Sequence, residues 1–151
     1  MQRPGRENAC RVSRPAFLME VAADAVADLA ICIVTTSPDF AGRMARGIGA
    51  IDNLRVSSIM DGTTDLAAAL KDEVPDAVVL DRLTCYPLLE KIVRTVSRMS
   101  RKPHVVVVTA RTSISDRLDL LSSGVDFVFT KLRPVAELGL VLRRLGRPDA
   151  G

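Results

Sequence analysis

Short, almost uninterrupted apolar runs recur along this chain at residues 29–34, 77–80, 105–108 and 127–129. The intervals between them are long enough to hold a helix. Runs this brief, apolar on both faces and bounded by polar or turn residues, are the pattern of interior strands in a parallel sheet, because helices cover both faces of such a sheet. Parallel strands cannot be joined by hairpins and need crossover connections, so the pattern points to alternating strands and helices. Three strand-like segments end on a polar residue of a different chemical kind: Ala77–Leu80 on Asp81, Val105–Val108 on Thr109, and Phe127–Thr130 on Lys131.

In an open parallel sheet the carboxyl ends of the strands converge on one crevice, and ligand chemistry sits there. A carboxylate, a hydroxyl and an ammonium at that edge form a set suited to phosphoryl transfer onto an aspartate. The carboxylate is a competent nucleophile once developing charge is neutralised. The ammonium supplies that charge, and the hydroxyl supplies a hydrogen bond to an equatorial oxygen.

The first strand, 29–34, ends on Thr35-Thr36. Ser37-Pro38-Asp39 then opens a helix to about Ile51, with Pro38 in its first turn and Asp39 as a partner for the helix dipole. A more polar strand over 53–60 closes on Asp61-Gly62, and a helix over 64–71 carries Leu66 and Leu70 on one face. Pro75-Asp76 turns into the strand that ends at Asp81. The next helix is expected over 87–99, with Leu88, Leu89, Ile92, Val93 and Val96 at helical spacing. Pro103 starts the fourth strand, and the lone His104 enters it as a structural residue. Ile114, Leu118 and Leu121 mark a further helix with Gly124 as its C-cap glycine, and 135–145 supplies the last one before Gly146 and Pro148. The expected fold is α/β: a doubly wound, five-stranded parallel sheet of (βα)5, flavodoxin-like design.

The length of 151 residues suits one domain over 29–146, between a basic, flexible leader at 1–28 and a short tail at 147–151. Residues 1–18 hold Arg3, Arg6, Arg11 and Arg14 against Glu7, a surplus equal to the whole net charge of +3. The folded part is therefore close to neutral; a basic tail can touch nucleic acid or acidic surfaces, but a disordered leader is the reading preferred, and no nucleic-acid partner is expected. Glu20, Asp24 and Asp28 interrupt the apolar stretch from Ala16 to Val34, so it reads neither as a membrane span nor as a signal segment. Cys10, Cys32 and Cys85 are odd in number and widely spaced, which fits a reducing, cytoplasmic setting and neither a disulfide framework nor a zinc site.

Three segments together resemble the receiver domain of bacterial two-component response regulators. They are Pro75-Asp76-Ala77-Val78-Val79-Leu80-Asp81, Val107-Val108-Thr109-Ala110 and Gly124-Val125-Asp126-Phe127-Val128-Phe129-Thr130-Lys131. The resemblance covers roughly 29–145. It implies Asp81 as the phosphoacceptor, Thr109 as the hydroxyl that follows the phosphoryl group, and Lys131 as its ammonium partner. It also implies a histidine kinase or phosphotransfer protein, a downstream signalling protein, or a second copy of the chain as partners, and no enzyme activity of its own.

The chain departs from that pattern where the family places two adjacent acids to hold magnesium, since those positions are Thr35 and Thr36. With Asp81 as the one metal-ligating carboxylate, the magnesium site is expected to be weak. Leu132-Arg133 separate Lys131 from Pro134, and Val128 stands where an aromatic is usual; Phe127 and Phe129 point to the opposite face, into the core. The expectation is a stand-alone pseudo-receiver acting by protein–protein contact, through a face holding Arg117, Asp119, Arg143 and Arg144. A phosphorylated Asp81 switch is the alternative. A flavin-binding role for the hydroxyl-rich Thr35-Thr36-Ser37 loop leaves Asp81 and Lys131 unexplained.

Overall fold

The computed structural model describes residues 28–61 and 66–146. Five strands, β1 (Leu29–Val34), β2 (Leu54–Met60), β3 (Ala77–Asp81), β4 (His104–Thr109) and β5 (Phe127–Thr130), form one sheet in the order β2-β1-β3-β4-β5. All its pairings are parallel. Between them run α1 (Pro38–Gly49), α2 (Leu66–Asp72), α3 (Arg82–Ser97), α4 (Ile114–Ser122) and α5 (Val135–Leu145). The doubly wound sheet read from the sequence is the fold observed. The leader, the Thr64 start of the second helix and the short tail lie outside the described residues.

Strand alternation sorts the buried side chains into two layers. Ile31, Ile33, Val79, Val106, Val108 and Phe129 pack with Phe40, Met44 and Ile48 of α1 and Leu138 and Leu142 of α5. Cys32, Val34, Val78, Leu80, Val105, Val107 and Val128 pack under Leu70 of α2, Leu89 and Ile92 of α3 and Leu120 of α4. Phe127 and Phe129 lie on the α1/α5 side, opposite Val128, as alternation requires. Burial pushes the Cys32 thiol up in pKa, with Glu73 adding to the effect and a hydrogen bond with Ser58 opposing it. A thiol so held is a core residue, since thiolates are the reactive form.

One expectation needs correction. The helix after Asp81 begins at Arg82, not at Pro87, and it runs through the proline. Pro87 lacks the N–H for one intrahelical bond, so its favoured place is a first turn; here tertiary packing outweighs that preference, with Leu89, Ile92 and Val96 already anchoring the helix in the core. On α4 the helix forms where expected, but Ile114, Leu118 and Leu121 are 79%, 57% and 40% exposed. Leu120 is the buried residue of α4, so the spacing that found the helix marks its outer face. Gly124 does follow the C-cap Ser123, at φ +114, with the place of a Cβ taken by Val93.

The aspartates that precede β3 and β5 act as strand clamps. Asp76 Oδ2 accepts from the N–H of Ala30 at 2.7 Å while the Asp76 N–H donates back to the Ala30 carbonyl at 2.7 Å. Asp126 repeats the arrangement on β4: its Oδ2 accepts from the Val105 N–H at 2.7 Å, and its own N–H donates to the Val105 carbonyl at 2.8 Å. Arg101 pairs with the other Asp76 oxygen, and His104 stands 3.8 Å from Asp126, the structural placement expected of it. Asp76→Ala should lower the unfolding free energy by about 1–2 kcal/mol by stranding the Ala30 N–H, with Asp76→Asn recovering part of it. Chemical denaturation of the three proteins reads the difference; an alanine variant as stable as the parent would refute the clamp.

Candidate functional site

The site is built at the carboxyl edge of the sheet by the same alternation that sorts the core. Continuing β1, β3 and β5 by one step each puts Thr35, Asp81 and Lys131 on the α1 side of the sheet. The ladders extend far enough to hold them there: the Thr35 N–H donates to the Met60 carbonyl at 2.9 Å, and the Lys131 N–H to the Thr109 carbonyl at 2.8 Å. Asp81 is 2% exposed and Thr35 3%.

The three side chains meet. The Lys131 ammonium lies 3.3 Å from Asp81 Oδ1, and the Thr35 hydroxyl donates to Asp81 Oδ2 at 3.0 Å. Thr35 Oγ1 also accepts from the Ser37 N–H at 3.0 Å, so its hydroxyl bridges the carboxylate and the start of α1. Ser37 is the N-cap of that helix, accepting from the Phe40 N–H at 3.2 Å. The face of Phe40 in turn lies under the ammonium, with Lys131 Nζ 5.0 Å from the ring centroid.

Asp81 occupies the N-cap position of α3, yet its side chain makes no capping bond. The carboxylate is turned into the crevice instead, toward Thr35 and Lys131. Thr109 is buried on β4, and its hydroxyl donates to the Arg111 carbonyl at 3.1 Å within its own loop. Its register puts it on the α3/α4 side of the sheet, opposite to the other three. Thr36 is exposed, and so is Asp39, in the first turn of α1. Of the expected site residues, then, the crevice gathers Asp81, Lys131 and Thr35, and leaves Thr36 outside. Sequence reasoning took Thr35 for a missing acid and did not anticipate its hydroxyl as a donor, and it missed Phe40 altogether. The available signal was the apolar residue three positions after the N-cap of α1, in the turn next to the end of β1.

A second surface lies at the β5 edge. Arg117 of α4, Phe127 and Thr130 of β5, and Arg133, Glu137 and Leu140 line a shallow groove of about 390 Å³. Arg133 and Glu137 pair across it at 2.7 Å. Of the mixed-charge face expected from the sequence, Arg117 lines this groove; Asp119 instead lines a hollow between α3 and α4 with Asp116 and Glu90.

No family profile matches the chain. Among curated proteins it is similar to the transcriptional regulatory protein PrrA of Mycobacterium tuberculosis, at 31% identity over 124 residues, and to PrrA of Mycobacterium leprae, at 32% over 124 residues. These alignments take in 77% of this chain and 51% of PrrA, so the chain spans about half the length of the curated relatives it matches. Among solved structures, the receiver domain of the response regulator NarL from Mycobacterium tuberculosis superposes with a TM-score of 0.72 at 14% identity, over 81% of this chain and 98% of that one. A LuxR-family response regulator from Aurantimonas gives 0.71 at 18% identity, over 82% and 92%. An atypical orphan response regulator, described as regulated independently of phosphorylation, gives 0.66 at 13%, over 80% and 97%. At those identities the structural likeness speaks for the fold. Together with the PrrA alignment and the strand-end residues, it makes the chain a member of the response-regulator receiver family. No helix among the described residues is long and apolar enough to cross a membrane.

Proposed function

We propose that this chain is a pseudo-receiver, a signalling domain that acts by protein–protein contact in one standing conformation rather than by magnesium-dependent phosphorylation. The observation that carries the reading is the occupancy of Asp81. One of its oxygens faces the Lys131 ammonium and the other takes the Thr35 hydroxyl, in a site 2% exposed. In this arrangement an ammonium and a hydroxyl proton already compensate the charge that a metal would otherwise offset.

The residues at the crevice do not fit magnesium. That ion is a hard cation usually held by one or two carboxylates, waters and phosphate oxygens. Here Asp81 is the carboxylate at the site, its neighbour Thr35 points a hydroxyl proton at it, and Thr36 is exposed. Among the described residues no three Asp, Glu, His or Cys side chains gather as a metal cluster would.

The contact surface is the α4–β5–α5 face, where exposed Leu140 lines the Arg117–Arg133–Glu137 groove and α4 exposes Ile114 and Leu118. Its partner is a cytoplasmic signalling protein or a second copy of the chain, and the domain catalyses no reaction of its own. The alternative is a working switch phosphorylated on Asp81 by a histidine kinase or phosphotransfer protein, in which Lys131 would pair with the phosphoryl group; the contact of Lys131 with Asp81 is compatible with both readings. Thr109 would have to leave the Arg111 carbonyl to reach the phosphoryl group.

Intact mass after incubation with acetyl phosphate and magnesium, beside Asp81→Asn, separates the two. The expected result is no phosphate adduct on either folded protein, also when cognate phosphodonors are supplied. An adduct on the parent protein that Asp81→Asn abolishes would establish the switch instead.

A further inference from the structure

We infer that Phe40 is a positioning residue for Lys131: its ring face holds the ammonium over the crevice and closes a circuit of contacts that ties β1, β3, β5 and α1 together around Asp81. Each step of the circuit is a direct contact in the structure. Lys131 reaches Asp81 at 3.3 Å, Asp81 takes the Thr35 hydroxyl at 3.0 Å, and Thr35 takes the Ser37 N–H at 3.0 Å. Ser37 caps Phe40 at 3.2 Å, and the Phe40 ring returns to Lys131 at 5.0 Å.

An ammonium within about 6 Å of a ring centroid is attracted by the negative face of the aromatic quadrupole, and desolvation strengthens the attraction. Both conditions hold. The ring is 1% exposed and the Lys131 side chain 24% exposed, so the pair is largely withdrawn from water. A lysine has four rotatable side-chain bonds and is held in place poorly by a single partner. Two partners at different angles, a carboxylate and a ring face, fix where the charge sits. The ring is immobile because it belongs to the core layer with Met44, Ile48 and Leu138, and because its own backbone N–H is capped by Ser37.

This inference goes beyond the pseudo-receiver reading and does not depend on it, since the ammonium has to be held whether or not Asp81 accepts a phosphoryl group. An acetyl phosphate adduct would overturn that reading and leave this one standing.

The test grades the ring electronics without changing its shape. Phe40 is replaced site-specifically, in the full chain, by phenylalanines bearing one, two or three ring fluorines, and the rate of amine labelling at Lys131 is followed by peptide mass spectrometry. Exposed Lys71, Lys91 and Lys102 serve as internal references. Labelling of Lys131 is expected to rise stepwise with fluorine number, by about threefold at the trifluorinated ring, while the other lysines are unchanged. Phe40→Leu, which keeps the core filled but has no ring face, should match the trifluorinated variant. A flat series overturns the inference. So does an equal rise at all four lysines, which would report a loosened fold rather than a released ammonium.

Discussion

Lys131→Met is expected to cost about 2–3 kcal/mol of stability, and adding Asp81→Leu is expected to restore most of it. Removing one partner of a buried ion pair leaves a desolvated charge without compensation, typically at about 3–5 kcal/mol. The lower figure applies here because Lys131 keeps 24% of its side chain exposed and water can partly replace it. Asp81, at 2% exposed, cannot find water so readily, so its charge becomes the liability once the ammonium is gone. Replacing both members by apolar side chains removes the liability with its remedy, and such exchanges are often close to neutral. Urea midpoints at unchanged m-value for the two single variants and the double variant check this. A Lys131→Met protein as stable as the parent would mean that the pair is not a structural lock, and the pseudo-receiver reading would lose its physical basis.

The second large effect concerns how α1 and α5 meet. Gly47 of α1 sits against Val135 of α5, and an added Cβ would lie 2.2 Å from Val135 Cγ1. The reciprocal contact is Gly139 of α5 against Ile51 just past α1, where a Cβ would lie 2.6 Å from Ile51 Cγ1. In an open helix, Gly→Ala gains about 1 kcal/mol. Here the opposing atoms are on β-branched side chains with little rotamer freedom, so the helices themselves would have to separate. The double variant Gly47→Ala/Gly139→Ala should therefore lose about 3 kcal/mol, the overpacking cost exceeding the propensity gain. Combining Gly47→Ala with Val135→Ala should recover part of the Gly47 share, since that change removes the methyl carbon at 2.2 Å but leaves the Val135 Cβ at 2.7 Å. Thermal and denaturant unfolding read both; a Gly47→Ala protein more stable than the parent would show that the two helices adjust freely. Because α1 carries Phe40 and Ser37, a shift of α1 against α5 should also raise Lys131 labelling in the same variants.

Much of the molecule is legible from residues alone because burial on both faces leaves a plain mark. The interior strands β1, β3 and β4 read as apolar runs, and their ends read as the first polar residue. Strand alternation then correctly sent Phe127 and Phe129 to one layer and Val128 to the other. Helix existence was legible from spacing, and Gly124 from its position past the last apolar residue of α4. Helix facing was not: Ile114, Leu118 and Leu121 are at helical spacing whether the stripe meets the core or solvent, and nothing local separates the two cases. The start of α3 was misread because Pro87 carries a strong local preference for a first turn, which the anchoring of Leu89, Ile92 and Val96 overrides.

At the crevice the division is similar. Residue order alone puts a carboxylate, a hydroxyl and an ammonium at the ends of β3, β4 and β5, and threonines where acids would hold a metal. These are properties of position along a strand, and strand ends are visible in one dimension. Only the tertiary structure decided that Thr35 donates to Asp81, that Thr109 turns to the Arg111 carbonyl, and that the Phe40 ring lies under Lys131. The same is true of the fit of Gly47 and Gly139 against Val135 and Ile51. Each of these depends on the distance and direction between side chains brought together from separate parts of the chain. Those are set by the register of neighbouring strands and the seating of α1 on the sheet, quantities that no local run of residues carries.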